Sequence, residues 1–195
     1  MAANTAITSF DNALEEFDRL AKRNPYRALV YRGHANSEWR SEPSLFRQKP
    51  DISEFEAEMI RELVSLFPSE FLTDATMFDR LVRMQHYGLP TRLLDVTKNP
   101  LVALYFALGG KSHEDDDGAV LVFAADEDRC KFYDSDVVSI MANLANLNLE
   151  ERDTLTKTSA TTIGELAKLY SMDRLVQFIK AEKPYFQPRI KKIDL

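Results

Sequence analysis

Ile7, Phe10, Leu14, Phe17 and Leu20 recur at steps of three and four, the spacing of one apolar helix face. Thr8 or Ser9 can cap this helix, and Asn24-Pro25 ends it. The pattern then turns β-like from Arg27 to Gly33, a run with β-branched and aromatic residues between Pro25 and a glycine. An irregular link from His34 to Pro50 follows, holding Trp39, Arg40 and Arg47; links this long in compact domains are often functional. Ser53 and Glu56 have capping-box spacing and predict a helix with Phe55, Met59, Leu63 and Leu66-Phe67 inward, ended by Pro68. A further helix from about Asp74 turns Phe78, Leu81, Val82 and Gln85 inward. Asn99-Pro100 opens an apolar helix that closes at Gly109-Gly110 and, apolar on nearly every side, is expected to be buried. Its small Ala103 and Ala107 permit another element to approach closely. The run from Gly118 to Ala125 is apolar throughout and predicts a central strand. Helical patterns fill the rest: Asp136 to Leu149, a short helix from Glu150, and a capping box at Thr162 and Glu165. Lys183-Pro184 breaks the pattern, and Tyr185 to Leu195 reads as a basic, strand-like end.

The densest polar stretch lies between two of these helices, from Gln85 to Pro100. Gly88 and Leu89-Pro90 stop the helix before it, because glycine takes positive φ cheaply and proline biases its predecessor away from the α region. Thr91 to Val96 then reads as a short buried strand or extended link whose Arg92 and Asp95 need partners. His86, in the last helical turn before it, is either a helix-end cap or a reactive side chain. Arg32, at the end of the first strand, is either a guanidinium aimed into a cleft or a strut paired with an acid. Trp39 either lines a pocket or anchors its loop.

Charge and composition narrow the chemistry. The formal net charge of −6 argues against bulk nucleic-acid binding while allowing a local basic pocket. A single cysteine, Cys130, excludes an intramolecular disulfide and a Cys-rich zinc site, and fits a cytoplasmic protein. No apolar run approaches the roughly 20 residues of a membrane span. The acidic Ser112–Gly118 loop lacks EF-hand spacing, and His34, His86 and His113 show no metal-ligand spacing, so no metal is expected. A glycine-rich phosphate loop, a nucleophile elbow and an HExxH pair are all missing. Arg32, Arg47 and Arg92 remain, with His86, Thr91, Asp95 and Thr97: a set suited to an anionic, phosphate-bearing small molecule.

Three segments carry a resemblance. Tyr31-Arg32-Gly33, Pro43-Ser44-Leu45-Phe46-Arg47, and the run from Gln85 through Thr97 with Asn99 to Ala107 resemble the FRG domain, a mainly bacterial and phage-borne family named for its Phe/Tyr-Arg-Gly tripeptide. The resemblance covers about residues 28–125, with 126–195 as a helical extension of a single domain. Family members usually end in a strand of the form Arg-Ile-x-x-Gln-x-Gly-x-Phe. Pro188-Arg189-Ile190 matches its opening, but Lys191 to Leu195 lacks the Gln and Gly, so that strand is either degenerate here or cut short.

A weaker similarity reaches the ADP-ribosyltransferases, through an Arg-Gly at the end of a first strand and a Thr followed by a helix of the Ala-x-x-Phe-Ala type. That resemblance implies two small sheets around a cleft for NAD. Arg32 would hold phosphate or ribose, Thr97 would brace the nicotinamide site, and a third position would fall near Arg189 to Asp194, where Asp194 is the only acid. The expected fold is α/β (α+β): a small mixed sheet including residues 28–33, 91–96 and 118–125, surrounded by helices, with a helical C-terminal third. The expected function is an ADP-ribosyltransferase-like effector in a bacterial toxin or phage-defence setting. Arg32, His86, Arg92, Asp95 and Thr97 would converge on one cleft, with Arg32, His86 and Thr97 catalytic. Tyr31, Gly33, Arg47, Gln85, Tyr87, Thr91, Arg92 and Asp95 would bind the nucleotide-type ligand, and Asp95 would orient Arg92 or His86. The alternative is a non-catalytic module for a ligand or protein partner, in which the same motif is a buried polar network. A nuclease is disfavoured, since no carboxylate set suits two metals.

Overall fold

In the computed structural model, the Ser9 hydroxyl accepts the Asn12 amide at 3.2 Å and starts α1, Phe10–Arg23. The structure describes residues 6–109 and 115–188. Residues 112–114 of the acidic loop lie outside the described residues, as do the expected end strand from Arg189 onward and the third transferase position. The chain forms two compact units: residues up to Arg40 with Asp95–Cys130, and Ser41–Leu94 with the chain from Lys131 on. Eight α-helices and one antiparallel pair of strands are present among the described residues, so the class is α/β. None of these helices is long and apolar enough to cross a membrane.

The first unit contains α1, β1 (Arg27–His34), α4 (Pro100–Ala107) and β2 (Ala119–Asp126). β1 pairs with β2 from Arg27↔Asp126 to His34↔Ala119. Strand alternation sorts β1. Leu29 and Tyr31 pack with Ala13, Phe17, Ala103, Val120 and Val122, and Phe17 meets the Tyr31 ring edge-on at 5.8 Å. Gly33 falls on the same side, and there the α4 backbone comes so close that a Cβ would sit 1.9 Å from the Ala103 carbonyl oxygen. The Ala103/Ala107 spacing expected to allow close approach does so.

Several expectations need correction. α4 is not buried all round: Ala103 and Ala107 are, but Leu101, Val102, Tyr105, Phe106 and Leu108 are exposed, because only the face carrying Ala103, Leu104 and Ala107 lies against the strands. Along α1, Ala13 and Phe17 are buried while Ile7, Phe10 and Leu14 are exposed, so the packed stripe is narrower than the apolar spacing implied. β2 is not central; it pairs with β1 alone among the described residues and is nowhere fully buried. The sheet is antiparallel, not mixed, and residues 91–96 do not join it. Thr97 alone forms a bridge, its amide and carbonyl exchanging bonds with Tyr31 at 2.8 and 2.7 Å.

The backbone of residues 91–93 is engaged elsewhere, in the second unit, which explains the missing strand. There the Thr91 carbonyl accepts the Leu45 amide at 3.1 Å, and the Thr91 amide donates to Ser44 Oγ at 3.1 Å. This unit holds α2 (Glu56–Leu66), α3 (Met77–His86), α5 (Asp136–Asn143), α6 (Leu149–Lys157), α7 (Ile163–Leu166) and α8 (Tyr170–Glu182). One core gathers Ile60, Phe71, Met77, Leu81, Met84, Ala142 and Ala145; another gathers Leu147, Leu175, Ile179 and Phe186. The inward face of α3 is therefore the Met77-Leu81-Met84 stripe, with Phe78, Val82 and Gln85 at its half-buried margins. On α2 the buried residues are Glu56, Ala57 and Ile60, whereas Phe55, Leu66 and Phe67 are exposed. The Ser53/Glu56 capping box does not form: Asp51 takes the Ser53 amide at 2.9 Å, and Glu56 turns inward. The break expected near Glu150 is a capping box between Asn148 and Glu151.

The Thr162/Glu165 box forms as expected, and it titrates. The Glu165 carboxylate accepts the Thr161 amide at 2.8 Å and the Thr162 amide at 3.1 Å, bonds that hold its carboxyl below the ordinary value. A carboxyl depressed in the folded state contributes stability present above its unfolded pKa and lost as pH falls through the folded one. Acidification through and below the usual glutamate range is therefore expected to fray α7 at its start. Amide exchange at Thr161 and Thr162, followed by NMR, should accelerate there beyond its intrinsic pH dependence; a profile with no such excess would refute the point.

Candidate functional site

The tripeptide that ends β1 is built by alternation. Tyr31 and Gly33 face the first unit's core, so Arg32 and His34 lie on the opposite side of the strand. Arg32 is half-buried, and its Nε donates to His34 Nε2 at 3.1 Å while Nη1 donates to the Asp95 carbonyl at 2.7 Å. Since Nε2 accepts, the proton of the neutral imidazole is assigned to Nδ1. His34 is buried, and its ring lies 6.2 Å from the exposed Trp39. Thr97 is next to this group through its bridge to Tyr31, and its hydroxyl accepts the Asn99 amide at 3.1 Å. Asn99 in turn caps α4 by accepting the Leu101 amide at 3.0 Å, with Pro100 in the first turn. Burial pushes the Tyr31 phenol up. His34 was missed as a site residue, although the period of two that places Arg32 also places it.

In the second unit the motif segments hold one another. α3 ends where expected: Gly88 has φ 83° and the Leu89 amide donates back to the Met84 carbonyl at 3.0 Å. Thr91 is buried, and its hydroxyl donates to Gln85 Oε1 at 2.9 Å. Its backbone bonds to Ser44 and Leu45 tie the Pro43–Arg47 segment to the Gln85–Thr97 run. Arg92 is matched not by Asp95 but by Glu56, with Nε on Oε1 at 2.8 Å and Nη2 on Oε2 at 2.5 Å. A second guanidinium, from Arg152, shares Oε2 and donates to the Ser53 carbonyl at 2.6 Å. Glu56 is 1% exposed. Tyr87 donates to Glu70 at 2.5 Å, a bond that raises the phenol's pKa, while His86 and Arg47 are exposed at the ends of their turns.

The five residues expected to share a cleft thus divide between the units: Arg32, Asp95 and Thr97 in the first, His86 and Arg92 in the second. Tyr31 and Gly33 go with the first group; Arg47, Gln85, Tyr87 and Thr91 go with the second. Sequence reasoning had no signal for Glu56 or Arg152 as partners of the motif, because an acid in a capping-box position reads as surface.

No curated protein and no solved structure matches the chain. The one sheet of two strands among the described residues is also less than the paired sheets implied by the transferase resemblance. The sequence model of the FRG domain, by contrast, matches residues 27–116, close to the 28–125 read from the motifs. Over residues 27–116, which take in β1, the Gln85–Thr97 run and α4, the chain is similar to the FRG domain.

Proposed function

We propose that this chain binds a nucleotide-type anion at Arg32, as an FRG-domain, ADP-ribosyltransferase-like effector in a bacterial cytoplasmic toxin or phage-defence setting. The observation that carries the reading is the fixed, half-buried guanidinium at the end of β1, oriented by His34 and the Asp95 carbonyl. Two anchors fix its plane, so the cation is held in place for an anion such as a phosphate. Exposed Trp39 beside His34 supplies a flat apolar surface for a base, and Thr97 is held next to Tyr31. NAD is the substrate class to test first. In such a transfer the bond between ribose and nicotinamide breaks, nicotinamide leaves with the electron pair, and ADP-ribose joins a nucleophile on the target.

A ligand that binds only the folded state raises the melting temperature by mass action. NAD or a related nucleotide is expected to raise the melting temperature of the wild type but not of Arg32→Lys, whose ammonium keeps the charge and loses the fork. Titration calorimetry on the same pair reads affinity directly, and nicotinamide release reads transfer. Equal responses in both proteins, or none in either, would overturn the reading.

A second reading has its own observation. Arg92 is taken up by Glu56, and Thr91 by Gln85 and Ser44, so these positions support a non-catalytic module for a ligand or protein partner. Nucleotide binding without nicotinamide release would favour that module over the transferase.

A further inference from the structure

We infer that the second unit carries a site of its own for an amphipathic monoanion, a carboxylate on an aliphatic tail. Glu56 supplies one negative charge to two guanidiniums, so the cluster keeps one positive charge. Arg92 uses Nε and Nη2 on Glu56, and among the described residues its Nη1 amino group makes no bond. The two arginine side chains are 16% and 15% exposed, and that exposure opens into a cleft of about 460 Å3. Phe46, Leu144, Leu149 and Leu155 make its apolar walls.

The cleft is of the size that holds small ligands. Its chemistry is selective in two respects. Guanidinium N–H groups beside apolar walls favour a carboxylate, which accepts a charge-assisted bond from the Arg92 Nη1 left over by Glu56. A single excess positive charge neutralises one carboxylate and leaves a polyanion such as a dinucleotide largely uncompensated. Apolar walls then favour an alkyl chain over a sugar, since burying methylene groups is favourable and burying unpaired hydroxyls is not. This site is independent of the one at Arg32, which belongs to the first unit.

The test is calorimetric titration of the whole chain with decanoate and with decanol, both below their aggregation limits, on wild type and Leu149→Glu. Leu149 is exposed and occupies the first position of α6, where an acidic side chain is compatible with the helix start. The variant should therefore fold, which circular dichroism checks, while placing a repelling carboxylate in the wall. Wild type should bind decanoate saturably. Leu149→Glu should bind it at least about tenfold more weakly, as like charges brought together at a site require. Decanol should bind wild type about tenfold more weakly than decanoate does, the charge-assisted bonds being absent. No saturable decanoate binding, equal binding of decanol, or unchanged binding by Leu149→Glu would each overturn the site.

Discussion

Replacing Glu56 with alanine is expected to lower the stability of the second unit by about 3–5 kcal/mol, the cost of breaking a buried ion pair by removing one partner. The geometry places this variant at the severe end. Glu56 accepts from both Arg92 and Arg152 and is 1% exposed, so its loss leaves two guanidiniums facing each other with no anion between them. Arg152 also holds the Ser53 carbonyl, which fixes the turn leading into α2, and a displaced Arg152 releases that turn. Native domains are stable by only about 5–15 kcal/mol, so one substitution removes a large share. Denaturant unfolding followed by circular dichroism measures it. A loss below about 1 kcal/mol, the range of surface pairs, would mean that the triad is solvated and contributes little. Replacing all three residues by apolar ones of similar volume should cost much less than Glu56→Ala, since the desolvation cost of the charges disappears with them. That contrast separates a structural network from a mere volume effect.

The same triad shows where sequence reading stops. Local signals were legible because their physics is local. The Ser9 cap, the Gly88 turn, the Asn99-Pro100 helix start and the Thr162/Glu165 box each depend on residues within a few positions. The β1 strand and the family motif were legible for the same reason. Glu56 was not. Its partners lie 36 and 96 residues away, and a Ser-x-x-Glu spacing gives the carboxylate a local use that the fold does not take up. β2 and α4 were misjudged through one ambiguity: an unbroken apolar run has the same pattern whether it is buried on all sides or on one. In α4 the alanine spacing held the answer, for it marked the single face that packs.

That face gives the second large effect. Gly33→Ala and Gly118→Ala are each expected to destabilise the first unit by at least the upper end of the about 1–3 kcal/mol typical of overpacking. At Gly33 a Cβ would lie 1.9 Å from the Ala103 carbonyl oxygen and 2.7 Å from the Ala107 nitrogen; at Gly118 it would lie 2.0 Å from the Ala107 carbonyl oxygen. The obstructing atoms are helix backbone, which cannot rotate aside as a side chain would, so α4 must move off β1. Movement of α4 pulls on Asn99 and Thr97, and Thr97 is the residue bridged to Tyr31. Gly33→Ala should therefore weaken whatever Arg32 binds as well as the fold. Trp39 is the only tryptophan and lies in the first unit, so its fluorescence follows this transition. Gly164→Ala is the control: nothing lies within 4 Å of a Cβ there, and in α7 alanine should stabilise by roughly 0.5–1 kcal/mol. If Gly33→Ala proved as harmless as Gly164→Ala, the glycine of the Tyr-Arg-Gly tripeptide would have to be explained by a ligand's approach and not by the helix packed against it.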